Sequence, residues 1–406
     1  MTFDAVKLGR VARTISGTGF APAFQGNSAG EVPFIKVSDL ALHANRAGVE
    51  AANNWVSRSD LKVLGGRVAP AGSIVFPKVG AALLGNVRAR LLRPSAMDNN
   101  LMAVVPTGGD SRFWFYALSS IDLGEFSPGG PLPYVTDSQV RDLQIPMPPR
   151  DEQHRIADFL DTETARIEGL IALRARQRDV LREELFARLE DRLTVPYARN
   201  RVPLMRLTDP QRPIQYGIVL PGPDWPGGVP IIKGGDIGAR RLSPELLNRT
   251  DPEIESRYVR SRVRGGDYVV AIRGSVGEIA PVPDSLNGAN LTQDSARIAP
   301  YECDAGWLGA VLQTPDLQNQ MKRQTTGATI KGINISELRR LRVPAPSRET
   351  QERLGRWASA HSARADAADQ ALHLSVSLMT ERRQALITAA VTGQLDVTTA
   401  RGIDTH

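Results

Sequence analysis

The chain has 406 residues, 41% of them hydrophobic and 23% charged, which suits two or three soluble domains that each bury a core of their own. A formal charge of +6 leans toward a polyanionic partner, while an aromatic share of 5% argues against a stacking platform for single strands. The single cysteine, Cys303, excludes a disulfide framework and a multi-cysteine zinc site.

The opening segment, MTFDAVKLGRVARTISG, lacks the apolar core of a signal peptide, and no run approaches a membrane span. A cytoplasmic location is expected. Arginine supplies most of the positive charge, with only seven lysines among fifty cations. Its planar fork suits guanine edges and phosphates, and a solvated arginine-rich surface or a GC-rich genome gives the same bias.

In chain order, the first part reads as short β-branched runs separated by glycine-rich turns, with clear strands at 74–76 and 101–105. After Pro146-Met-Pro-Pro149 the acidic pair Asp151 and Glu152 opens a helix, where it complements the helix dipole. Apolar residues then recur at helical spacing through Ile156, Leu160, Ile167, Leu181 and Leu185. A second run of strands follows, with 268–272 the clearest. Ser347 then precedes another helix carrying Leu354, Trp357, Leu372 and Leu386, which Gly393 ends.

This order repeats because the sequence repeats. Val32-Pro-Phe-Ile-Lys-Val-Ser-Asp-Leu40 matches Val229-Pro-Ile-Ile-Lys-Gly-Gly-Asp-Ile237, 197 positions on. Gly72-Ser-Ile-Val-Phe76 matches Gly266-Asp-Tyr-Val-Val270 at 194, and the stretch from Asn100 follows at the same offset. Leu143-Gln-Ile-Pro-Met-Pro-Pro-Arg150 matches Leu341-Arg-Val-Pro-Ala-Pro-Ser-Arg348 at 198, continuing to Gln153 and Gln351. Four blocks in one order mark a duplication.

The fold class expected is α+β: two globular mixed-sheet domains joined by two long antiparallel helices, a coiled coil. The boundaries read as a first globular domain at 1–148, a long helix at 149–195, a second globular domain at 196–346, a second long helix at 347–397 and a tail at 398–406. Each helix has an apolar stripe that must be buried, and the economical partner is the other helix. The alternative is that each helix packs on its own globule. Two similar but non-identical globules on rigid helices form a ruler, suited to two short, different DNA sites separated by an unread spacer.

The pre-helix blocks Leu143 to Gln153 and Leu341 to Gln351, the run Thr326-Gly-Ala-Thr-Ile-Lys-Gly-Ile-Asn-Ile335, the block at Val229 and the ending Ala389-Ala-Val-Thr-Gly-Gln-Leu-Asp396 together resemble the specificity subunits of type I restriction–modification systems. The resemblance covers nearly the whole chain. It implies double-stranded DNA as partner, with two target recognition domains that each read one half-site. It also implies two modification subunits that carry S-adenosylmethionine, and optionally two translocating, cleaving restriction subunits. The first copy departs from the pattern, with Gly130-Pro-Leu-Pro-Tyr134 in place of the Gly-Ala-Thr-Ile-Lys-Gly run.

No chemistry of its own is legible. The only Pro-Pro pair lacks the flanking residues of a methyltransferase motif, and no lysine follows a glycine as a phosphate-cradling loop needs. The five histidines show no metal-ligand spacing, and Cys303 reads as a packing residue. The chain is expected to be non-catalytic and to bind no cofactor or metal. Two rivals remain: the reading half of a fused restriction–methylation enzyme, and a coiled-coil adaptor that binds only proteins. Candidate DNA contacts are Lys78, Arg88, Arg273, Thr326, Gly327 and Lys331, while Lys36 and Lys233 recur in both copies and read as scaffold. The stretches 17–30 and 216–228 differ most between copies and are candidates for the sequence code.

Overall fold

A computed structural model describes residues 3–42, 48–130, 132–237, 242–325 and 332–398. The chain divides into two compact units, Met1–Leu173 with Ser375–His406, and Arg174–Leu374. The sheets in the two units have the same topology. In the globule of the first unit, head 1, a four-stranded antiparallel sheet runs in the order Ala12–Ser16, Leu101–Pro106, Ile74–Pro77, Ala89–Arg90. In head 2 the order is Gln215–Tyr216, Ser295–Ile298, Tyr268–Ala271, Ile279–Pro281.

Each head adds a three-stranded sheet with one antiparallel and one parallel neighbour. Val32–Ile35 lies between Trp55–Val56 and Ala96–Met97, and Val229–Ile232 lies between Arg249–Thr250 and Asn290–Leu291. A glycine marks the crossing between the two sheets in each copy. A Cβ on Gly17 would sit 1.8 Å from the Asp98 carbonyl oxygen, and one on Gly217 would sit 2.0 Å from that of Leu291. Only a residue without a side chain allows this approach.

The first and last strands of each head pair with each other, Ala5 with Pro146 and Arg201 with Pro344, so each globule closes where its following helix begins. Those helices are Arg150–Leu193 and Arg348–Val391, 44 residues each, about 66 Å at 1.5 Å per residue.

The helices share a seam with each other inside both units. In the first, Ile156, Ala157 and Leu160 of the first long helix are buried in one core with Ile387, Ala390 and Val391 of the second, alongside Trp114, Leu143 and Ile145 of head 1. In the second unit, Leu189 and Leu193 of the first helix share a core with Leu354 and Ala358 of the second, alongside Leu204, Trp307 and Leu341 of head 2. The start of one helix therefore meets the end of the other, an antiparallel pairing. The ion pairs follow the same register: Glu168 with Arg383 at 3.1 Å in the first unit, Arg178 with Asp369 at 2.6 Å in the second. Each fully buried Leu or Ile contributes on the order of 1.5–3 kcal/mol.

The stripe is not uniformly covered. Ile167 is buried, while Leu181, Leu185, Trp357, Leu372 and Leu386 are half-buried. Leu173, Val180, Leu374 and Leu378 are exposed. Burial concentrates at the helix ends, because there each helix packs on a globule as well as on its partner.

Candidate nucleic-acid interface

In each head the same three segments meet at one end of the four-stranded sheet. In head 1, Thr18 bridges to Asp98, the Lys78 N–H donates to the Asn100 carbonyl at 2.8 Å, and the Val135 N–H donates to the Lys78 carbonyl at 2.9 Å. In head 2, Ile218 bridges to Thr292, Ile272 N–H donates to the Asp294 carbonyl at 2.8 Å, and Ile333 N–H donates to the Ile272 carbonyl at 2.9 Å. The stretch that differs most between copies thus begins beside the end of a central strand and beside the segment that returns before the long helix.

The return segments correspond even where their sequences do not. Tyr134 bridges to Val79 as Gly332 bridges to Arg273. Tyr134 therefore holds in head 1 the place that Gly332 holds in head 2. Thr326, Gly327 and Lys331 themselves lie outside the described residues.

Of the other candidate cations, Arg273 is exposed, two residues past the end of its strand and bridged to Gly332. Lys78 is half-buried and lines a cavity of 480 Å³ with Ser16, Met102, Leu132 and Tyr134. Arg88 is placed differently, in the interior of head 1 at 8% exposure. Its guanidinium donates to the carbonyls of Val87 (2.9 Å) and Ile121 (3.3 Å) and to Asn86 Oδ1 (2.6 Å), and it lies 5.1 Å from the Phe76 ring centroid. Burial lowers its pKa to about 10, against the opposing charge of Asp122. It holds head 1 together internally instead of facing outward.

The ammonium groups of Lys36 and Lys233 donate to amide oxygens within their own heads, Gln25 Oε1 at 3.3 Å and Asn248 Oδ1 at 2.9 Å. Their backbone N–H groups donate to Asp39 and Asp236 carboxylates at 2.7 and 2.9 Å, closing identical turns after the first strand of the three-stranded sheet. The variable stretches are anchored by different means. Phe20 stacks on Phe34 at 3.8 Å in head 1, whereas in head 2 Asp224 accepts from the Arg249 N–H at 2.7 Å. The head 2 stretch leaves Tyr216, Leu220 and Trp225 exposed, an apolar and aromatic set able to meet thymine methyls or base faces.

Sequence reasoning missed a pair of buried glutamines that tie each globule to its following helix. Gln153 Oε1 accepts from the Asp110 N–H at 3.2 Å while its Nε2 donates to the Pro148 carbonyl at 2.9 Å. Gln351 repeats both bonds, with Asp304 at 3.0 Å and Pro346 at 2.9 Å. Their repetition in the sequence was the available signal. Asp110 and Asp304 in turn cap the helices Ser111–Ser119 and Ala305–Leu312. Among the described residues no group of three or more His, Cys, Asp or Glu is placed to hold a metal ion, and no helix is long and apolar enough to cross a membrane.

Comparison with known proteins agrees with this geometry. Residues 2–172 match the type I restriction modification DNA specificity domain. The type I restriction enzyme EcoBI specificity subunit of Escherichia coli is 27% identical over 315 residues, covering 70% of this chain and 66% of that protein's own length. A solved chain from work on complex assembly and conformational transition of the type I R-M system superposes with a TM-score of 0.65 at 19% identity, covering 97% of this chain and 98% of that one. The HsdS subunit from Thermoanaerobacter tengcongensis gives 0.44 at 19% identity, over 97% of each chain. The family match thus covers head 1 and the start of its long helix, and the fold, a duplicated pair of α+β heads on antiparallel helices, is that of the solved type I R-M chain.

Proposed function

We propose that the chain is the non-catalytic DNA-reading subunit of a type I restriction–modification complex. Each head reads one half of a bipartite, asymmetric site in double-stranded DNA, and the paired helices fix the unread spacer between the halves. The same helices dock two modification subunits, which carry S-adenosylmethionine, and two restriction subunits join where the host encodes them. The observation that carries this reading is one sheet topology used twice with unlike stretches at 17–30 and 216–228. A shared scaffold with different rims suits two different half-sites, since symmetric half-sites require identical heads.

Within the heads, Lys78, Arg273 and Lys331, with Thr326 and Gly327, serve contacts to phosphates or base edges. Methylome sequencing of a host carrying the chain with its modification partner tests the proposal. A split methylation motif that vanishes when the chain is deleted is the expected result. An unchanged methylome overturns it in favour of a protein-only adaptor, and methyl transfer by the purified chain alone would return it to the enzymes.

A further inference from the structure

Head 2 holds a cleft of 670 Å³ lined by five arginines, Arg212, Arg260, Arg262, Arg264 and Arg297. Two are neutralised: Arg212 grips Asp267 through two contacts at 3.1 and 2.5 Å, and Arg262 grips Glu255 at 2.7 and 2.6 Å. Arg260 and Arg264 are exposed and make no salt bridge among the described residues. Arg297 is 2% exposed and has no carboxylate partner either. Its Nη1 donates to the carbonyls of Arg260 at 2.8 Å and Arg262 at 2.6 Å, and its Nη2 donates to that of Pro213 at 3.2 Å. Its Nε is buried without a partner.

Burying a guanidinium without a counter-charge is costly, and crowding like charges around it adds to the cost. Desolvation lowers the Arg297 pKa, and the charges of Arg212 and Arg264 push the same way while Asp267 opposes them. The duplication shows that the fold does not demand this arrangement. Arg297 pairs with Val269 and Gln215 across its sheet, and the equivalent position in head 1, paired with Val75 and Ile15, is Ala103. The Asp267 N–H bonds to the Arg264 carbonyl as the Ser73 N–H bonds to that of Pro70, so proline stands where head 2 has Arg264. One copy builds the same sheet with alanine and proline where the other gathers arginines, so the shared scaffold does not require the cleft.

We infer that this cleft binds a phosphoryl group, contacted by Arg260 and Arg264 above a floor formed by Arg297. Three uncompensated guanidiniums exceed the charge of one carboxylate and suit either adjacent phosphodiesters or one phosphomonoester, whose charge is about −1.5 to −2. Arginine forks bind such oxygens in pairs. The group can come from the backbone of the duplex, in which case the inference rests on the DNA-reading proposal, or from a free phosphorylated molecule, in which case it does not.

The full-length chain carrying Arg260→Gln and Arg264→Gln is compared with wild type and with an exposed-charge control, Arg199→Gln with Arg206→Gln. Duplex binding is followed by fluorescence anisotropy across a range of salt, and pyrophosphate binding by thermal melting. If the duplex supplies the phosphate, the slope of log affinity against log salt becomes shallower by about 0.9 per lost contact in the cleft variant, while the control keeps the wild-type slope. If a free molecule supplies it, pyrophosphate raises the melting temperature of wild type and control but not of the cleft variant. Wild-type behaviour of the cleft variant in both assays overturns the inference. Absence of any duplex binding by wild type counts against the DNA-reading proposal, and the pyrophosphate assay then decides the cleft alone.

Discussion

Cys303 sits at 7% exposure with its thiol directed to the Leu207 carbonyl at 3.4 Å, and burial pushes its pKa up to about 11. The thiolate is the reactive form, so iodoacetamide should leave the folded chain unlabelled at neutral pH and modify it only on unfolding. Rapid stoichiometric labelling of native protein would contradict a packing role. Asp110 offers a second test. Burial raises its pKa, yet hydrogen bonds and charge from Arg112, with a further bond from His154, outweigh burial and hold the carboxyl below its ordinary value. A carboxylate with a depressed folded pKa contributes stability that is present above its unfolded pKa, about 3.9, and lost as pH falls through the folded value. Asp110→Asn keeps an N-cap side chain but removes the charge, and should cost about 1–2 kcal/mol at neutral pH. That gap should narrow as the pH of the melts falls below about 3.9 and through the folded value, and a constant gap would show that the charge is not what stabilises. At this scale the repeat was a guide to position and not to cause. It marked Lys36 and Lys233, but the conformation is set by Asp39 and Asp236, whose carboxylates accept from backbone N–H groups.

Among the elements, the two long helices were legible because apolar residues at helical spacing, free of internal proline, leave few other options. Their seam was only partly legible. Periodicity places Leu354 and Leu372 on comparable footing, yet Leu354 is buried with Leu189 and Trp307 while Leu372 is half-buried. The difference comes from the globule packed at each helix end, which a one-dimensional pattern does not contain. The joint between globule and helix supplies the prediction here. Gln153→Ala strips a partner from the Asp110 N–H and the Pro148 carbonyl, both in a joint where Gln153 is 2% exposed. Chemical denaturation should show a loss of about 1–3 kcal/mol. Gln351→Ala should cost a similar amount, and the double variant the sum, because the two sites share no partner. An unmoved midpoint in either single variant would mean that water replaces the amide and that the joint is held by packing alone.

For the whole molecule, the proposed division of labour predicts that spacer and half-sites vary independently. One added helical turn after Ile167 and another after Leu372 should lengthen the unread spacer in the methylome while leaving both half-sites unchanged. Altered half-sites would contradict it. The sequence by itself determined the duplication, the α+β class and the helix pair, because repeated blocks and apolar spacing are properties of the chain in one dimension. Only the tertiary structure decided which cations face outward. Lys78, Arg88 and Arg273 all read as strand-end or loop cations, but Arg88 is enclosed by the Val87 and Ile121 carbonyls and the Phe76 ring, whereas Arg273 stands exposed beside Gly332. The arginine cleft arises the same way, from residues between Arg212 and Arg297 that neighbour one another only because sheet pairing brings Gln215 and Val269 to either side of Arg297. Side-chain burial and charge crowding depend on long-range neighbours, and those are fixed by the register of strands, which no local spacing records.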